Sequence, residues 1–228
     1  MKKSILVISI ATAVIFSCNQ GSTSTPETVT TETVNSAKNV QNDKDIYTKY
    51  EYADSNGKSI TIQNGYPRGG IKYTDPNGNV CSYAVFWTRI INETDNPLEL
   101  KIDLPINSYE ISNFPGKHFK ILVPDDTITL DKIPLINQTN LKSFLDNNIH
   151  KPPSFKRTIN PKESSGFYFV MLISTLEATG MTRTGLSLKG QDLFYKISRY
   201  SSTKPISLID EKETHCGSIN LKNLTLQK

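Results

Sequence analysis

Val80-Cys81-Ser82-Tyr83-Ala84-Val85-Phe86-Trp87-Thr88-Arg89-Ile90-Ile91 is the longest strand candidate in the chain. One alternate set is Val80, Ser82, Ala84, Phe86, Thr88 and Ile90; the other is Cys81, Tyr83, Val85, Trp87, Arg89 and Ile91. Successive side chains of a strand point to opposite faces, so a segment that is apolar on both sets near its middle needs cover on both sides. The pattern predicts a central strand. Asn92 to Pro97 then turns the chain. Leu98, Leu100, Ile102 and Leu104 follow in alternation with Glu99, Lys101 and Asp103, which reads as a half-buried strand with one wet face.

Outward from this core the punctuation stays that of β structure. Tyr52-Ala53-Asp54-Ser55-Asn56-Gly57-Lys58 and Tyr73-Thr74-Asp75-Pro76-Asn77-Gly78-Asn79 each place Asn-Gly after an Asp and read as hairpin turns with a left-handed glycine. Asp75-x-Asn77-x-Asn79 begins like a calcium loop, but its fourth place is Gly78 and its twelfth Phe86, so the ligand pattern fails. Further strands are expected at 59–63, 118–123, 127–130, 156–160, 167–174, 184–189, 193–198, 206–209 and 217–221. Leu141, Phe144, Leu145 and Ile149 stand at helical spacing behind a Thr139-Asn140 cap and before Pro152-Pro153. Many short strands and one short helix predict an all-β fold, an antiparallel two-sheet sandwich with Greek-key-like connections. Two segments resemble bacterial immunoglobulin-like modules: Arg89 to Leu98 resembles their strand–turn–strand, and Thr158-Ile159-Asn160-Pro161-Lys162-Glu163-Ser164 with Phe167 to Val170 their proline-glutamate turn. The resemblance implies an immunoglobulin-like sandwich. It does not extend to antibody domains, since Thr214 stands where a tyrosine would precede the second cysteine.

The chain of 228 residues begins differently. Met1-Lys2-Lys3 is a positive start, Ile5 to Phe16 carries no charge, and Ser17-Cys18 closes the run. A bilayer core of about 30 Å needs roughly 20 apolar residues, so this segment is short for a permanent span and reads as a secretory leader. Ile15-Phe16-Ser17-Cys18 resembles the lipobox of bacterial lipoproteins. That resemblance implies a signal peptide at 1–17, cleavage before Cys18, and acylation of its thiol and new amine. Stable anchoring needs more than one acyl chain, a condition such lipidation meets. A plain secretory signal with an incidental cysteine is the alternative. Asn19 stands where enteric inner-membrane lipoproteins carry Asp, and Asn19-Gln20-Gly21-Ser22 lacks the acidic cluster frequent in surface-exposed lipoproteins of Bacteroidetes. The outer membrane, on its periplasmic face, is the expected address.

Residues 19–45 hold six threonines and no aromatic side chain, so 18–45 is expected to be a lipidated cysteine with a disordered tether and 46–228 the folded domain. Net charge is +4; the leader holds two lysines and the tether a net −2, leaving the domain near +4, too mild for a nucleic-acid surface. With Cys18 lipidated, Cys81 and Cys216 remain, and an oxidising envelope permits them to form a disulfide. Two separate buried thiols are the alternative.

Chemistry-bearing motifs are sparse. Gly185-Leu186-Ser187-Leu188-Lys189-Gly190 misses the nucleophile elbow by one residue and lies in a strand pattern. His118, His150 and His215 lack metal spacing. Asp125-Asp126 and Asp210-Glu211 with Glu213 read as solvated loop charges. Neither catalytic residues nor a metal or cofactor is expected. Tyr47, Tyr50, Tyr52, Tyr66 and Tyr73 crowd near Gly65, Pro67, Gly69 and Gly70, and aromatic faces among flexible residues can anchor a protein partner or stack on sugars. The Tyr66–Ile71 loop is therefore the expected recognition edge, with Tyr66, Arg68 and Tyr73 as candidate binding residues. The expected function is a lipid-anchored, non-catalytic binding or scaffolding module for an envelope protein partner. A carbohydrate-binding lipoprotein, an exported hydrolase with scattered catalytic residues and an exported inhibitor or immunity lipoprotein are the alternatives.

Overall fold

The computed structural model describes residues 43–105, 108–111, 116, 118–125, 141–173 and 180–221. The chain enters through a 3-10 turn at Asp43–Asp45 and builds β1 (Ile46–Ala53), β2 (Ser59–Gly65), β3 (Arg68–Thr74), β4 (Val80–Asn92), β5 (Leu98–Asp103), β6 (Ser108–Glu110) and β7 (His118–Leu122). Helix α1 (Leu141–Asn148) is followed by β8 (Ser154–Ile159), β9 (Ser164–Ile173), β10 (Met181–Lys189), β11 (Asp192–Tyr200) and β12 (Leu208–Asn220). One sheet has seven strands in the order β1-β2-β4-β9-β7-β6 with β3 also on β4; the other has five in the order β10-β11-β12-β5-β8. Paired strands are antiparallel throughout, and the result is an all-β two-sheet sandwich with one short helix.

β4 is central, as its two apolar faces require. From Ser82 to Ile91 it pairs with β9 on one edge. Its other edge is shared, β3 taking Val80 to Val85 and β2 taking Thr88 to Asn92. β2 and β3 thus run end to end, broken at Tyr66-Pro67, where proline has no N–H to give to a ladder. Phe86 and Ile90 enter the core between the sheets with Leu100, Ile102, Phe169 and Tyr195. Val85 and Trp87 point the other way, into a second apolar cluster with Tyr73, Leu122 and Tyr168, joined by Leu141 and Leu145 of α1. Gly65 makes that outer layer possible: a Cβ there would lie 1.8 Å from Trp87 Nε1.

Asn92 ties the two segments that resemble immunoglobulin-like modules. It is fully buried where the chain leaves β4. Its Nδ2 donates to the carbonyls of Asn96 at 2.8 Å, Ile159 at 3.1 Å and Asn160 at 3.1 Å, while its Oδ1 accepts from the Thr94 amide at 3.0 Å and hydroxyl at 2.7 Å. The Asn92 amide donates to the Glu163 carbonyl at 2.8 Å, so the β4–β5 and β8–β9 crossovers close as one unit. Both Asp-x-Asn-Gly turns form as read: Asp54 Oδ1 accepts from the amides of Asn56 and Lys58, and Asp75 Oδ1 from those of Asn77 and Asn79.

Three expectations need correction. The Cys81–Cys216 disulfide is not formed; both thiols are free. Cys81 shares the face of Tyr83 and Trp87 and packs against the outer cluster, with its Sγ 3.6 Å from the Tyr73 carbonyl, whereas Cys216 is fully buried in the core between the sheets. A sheet lies between the two environments. Segments 206–209 and 217–221 are not two strands, because β12 runs unbroken from Leu208 to Asn220 and absorbs its irregularities as register shifts against β11. The stretch expected as a loop at Tyr66–Ile71 becomes β3 from Arg68 onward. The expected strand at 127–130, the leader, Cys18 and the tether up to residue 42 lie outside the described residues.

Candidate functional site: an aromatic and guanidinium surface beside β10

β10 is an outer strand of its sheet, so among the described residues one edge of its backbone pairs with no strand. Exposed edges invite unwanted pairing. Residues of the opposite sheet close part of it. Asn64 Nδ2 donates to the Leu186 carbonyl at 3.0 Å, and the Leu186 amide donates to Asn64 Oδ1 at 2.8 Å, so a side-chain amide takes the place of a strand peptide. The same amide accepts from the Thr88 hydroxyl at 2.9 Å and donates to Thr48 Oγ1 at 3.0 Å. One register step on, the Leu188 amide donates to the Tyr52 hydroxyl at 2.8 Å.

Towards the start of β10 the arrangement changes. The break between β2 and β3 extrudes Tyr66, which is 41% exposed. Its ring lies 5.5 Å from that of Tyr47, inclined by 58°. The Arg183 guanidinium of β10 sits over both rings, 5.3 Å from the Tyr66 centroid and 6.0 Å from that of Tyr47. Arg183 also donates to its neighbour's carbonyl, Thr182 O, at 2.9 Å. Burial, and next the adjoining Tyr200 hydroxyl, push the Tyr47 phenol up to about 12, so it is a neutral donor at physiological pH. Tyr200 stands opposite Met181 on one side and Leu208 on the other. Leu208 is 52% and Ile206 58% exposed, and Ile209 joins them in the same β11–β12 hairpin. Tyrosines, an arginine and exposed aliphatic side chains thus lie at one end of β10, β11 and β12.

The sequence-chosen residues fare unequally. Tyr66 lies in this surface. Arg68 lies near it but is engaged within the chain, its Nη2 2.8 Å from Asp45 Oδ1 while the Tyr66 amide donates to the Asp45 carbonyl. Asp45, placed in the tether by composition, therefore pins the β2–β3 break. Tyr73 is not at the recognition edge. It is buried in the outer cluster, and its hydroxyl donates to Asp146 of α1 at 2.8 Å; burial first, and that carboxylate second, hold its phenol well above its ordinary value. Its work is to dock the helix. Tyr47 stood in the tyrosine cluster but was not chosen as a binding residue, and Arg183, Tyr200 and the Ile206–Ile209 hairpin were missed. The usable signal was the parity of β10, whose core set Thr184, Leu186 and Leu188 turns Arg183 the other way.

Elsewhere several titratable groups serve local pairs. Glu211 accepts from Lys196 at 2.8 Å and Ser198 at 2.9 Å, and the Lys196 contact, foremost, lowers its carboxyl. Glu213 bonds Lys189, and His215 lies 3.4 Å from Asp192. Ser187 sits within β10 opposite Phe194, in the strand its pattern indicated. Cys216 is pushed up to about 12 by burial, and Cys81 is raised by burial and by Asp75, so neither is an activated thiolate. Among the described residues no group of three or more His, Cys, Asp or Glu could hold a metal ion, and no helix is long and apolar enough to cross a membrane. Comparison with protein families, with curated proteins and with solved structures gives no match to this chain.

Proposed function

We propose that the chain is a lipid-anchored envelope protein whose β-sandwich binds a protein partner, without catalysis, through the Tyr47–Tyr66–Arg183 surface. The carrying observation is the Arg183 guanidinium over the half-buried Tyr47 and the exposed Tyr66, with the uncovered Ile206 and Leu208 in the hairpin at the same end of that sheet. Tyr and Arg next to apolar side chains supply most of the energy in protein interfaces, and their rigidity lowers the entropy lost on binding. A protein partner is favoured over a glycan because the two rings are inclined by 58° and share a guanidinium cover, rather than presenting one flat platform to a sugar. The anchor rests on the leader and on Ser17-Cys18, and the address on the periplasmic face of the outer membrane rests on the neutral Asn19-Gln20-Gly21-Ser22.

The test pairs Tyr66→Ala and Arg183→Ala with the unmodified full chain in envelope crosslinking followed by quantitative mass spectrometry. The reading expects one protein to be recovered with the unmodified chain and at least tenfold less with either variant, at equal levels of folded protein. Equal recovery from all three would refute it. Mass spectrometry of the native chain finding Cys18 without acyl groups would refute the anchor separately.

A further inference from the structure

A cleft of about 470 Å³ opens on the outer face of the seven-stranded sheet, where the β3–β4 turn, the end of α1 and β7 meet. Its apolar lining comes from Val80, Cys81, Ile149 and Leu172, and its polar wall from Ser108, His118 and Lys120 with Asp75 and Asn79 facing them. That volume suits a small ligand. Lys120 lies opposite Leu172 in the β7–β9 register, so its stem crosses an apolar strip and its ammonium ends at the cleft. Among the described residues it makes no ion pair or hydrogen bond, and burial alone lowers its ammonium. A half-buried ammonium that makes no direct ion pair or hydrogen bond costs free energy that an anion in contact with it recovers.

The nearby carboxylates keep their charge but spend their oxygens on local turns rather than on Lys120. Asp75 accepts from the Asn77 amide at 2.9 Å, the Asn79 amide at 2.8 Å and Asn79 Nδ2 at 2.9 Å. Glu110, the register partner of His118, accepts from the Gly116 amide at 3.0 Å. We propose that this cleft binds a small monocarboxylate with an apolar body, its carboxylate on Lys120 and its hydrocarbon over Leu172, Ile149 and Val80. With Asp75 also charged at the rim, the single ammonium favours an anion of one charge over one of two, and the apolar lining selects against a fully hydrated anion such as inorganic phosphate. The site is separate from the Tyr66 surface and stands or falls without it.

Octanoate, butyrate and inorganic phosphate are titrated into the full chain by calorimetry, and alkylation of Cys81 is followed by peptide mass spectrometry. Cys81 lines the cleft and reports occupancy, while buried Cys216 serves as the internal reference. Octanoate is expected to slow Cys81 alkylation at least threefold and to bind more tightly than butyrate. Lys120→Met, which keeps the stem and removes the charge, is expected to weaken octanoate about tenfold or more. Val80→Glu, at a residue 52% exposed on the lip, places a like charge there without touching the core and is expected to weaken it as well. Unchanged alkylation at saturating octanoate, equal binding by Lys120→Met, or phosphate binding as well as octanoate would each overturn the proposal.

Discussion

The two halves of β10 are treated differently by the same opposing strands. At Leu186 and Leu188 the free edge is closed, Asn64 and Tyr52 satisfying backbone groups that would otherwise be buried unpaired. At Met181 to Arg183 no such closure is made, and Tyr47, Tyr66 and Arg183 gather instead, the guanidinium over two mutually inclined rings. The difference separates side chains spent on the fold from those left for recognition. Burial of a polar group commits it, because an unpaired buried amide costs about 1–3 kcal/mol. Tyr66, 41% exposed, keeps an open ring face, and the half-buried Arg183 bonds only its neighbour's carbonyl and the thioether of Met181 besides the two rings.

Changes along β10 should therefore divide sharply. Asn64→Leu removes four hydrogen bonds and strands the Leu186 peptide, and urea unfolding should show a loss of about 3 kcal/mol. Tyr52→Phe deletes only the acceptor of the Leu188 amide and should cost about 1–2 kcal/mol in the same measurement. The alkaline limb gives a smaller signal. A phenol raised in the folded state adds stability that is whole below its unfolded value near 10 and is lost as pH rises through the folded value of about 12. Tyr47→Phe should flatten the fall in midpoint across that window, and an unchanged slope would remove Tyr47 from the account. Arg68→Ala breaks a partly exposed ion pair with Asp45 and should cost at most about 1 kcal/mol. Tyr66→Ala should stay within about 0.5 kcal/mol of the unmodified chain. A large loss there would move Tyr66 to the structural side of the comparison.

How far the sequence reaches follows the same division. Strand β4 was legible because two apolar faces at period 2 admit one solution, a strand covered twice, and helix α1 because its apolar spacing stops at two prolines; the expected Thr139-Asn140 cap lies outside the described residues. The paired turns were legible because Asp-x-Asn-Gly carries its own hydrogen-bond geometry. The closure of β10 was not, since Asn64 and Leu186 are 122 residues apart and an asparagine at a strand end reads as a turn residue. Tyr73 resembled Tyr66 in composition, an aromatic among glycines, and only the docking of α1 through Asp146 separates a buried anchor from an exposed one. The disulfide failed for a parity reason. The sequence places Cys81 with Tyr83 and Trp87, but which face of β4 meets the second sheet, and with it Cys216, is set by tertiary packing. Arg183 shows the limit for the candidate site: its distance from both tyrosines in sequence hides a contact that exists only where the two sheets meet.

The most direct test places a photo-crosslinking phenylalanine at position 66 and, as a control, at position 156, where Lys156 is exposed on the far face of the five-stranded sheet. Irradiation of intact cells should yield one protein adduct from position 66, none from position 156, and at least tenfold less from position 66 when Arg183 is replaced by Ala. Adducts of equal strength from both positions, or an adduct at 66 that ignores the loss of Arg183, would contradict the assignment of this surface to partner binding.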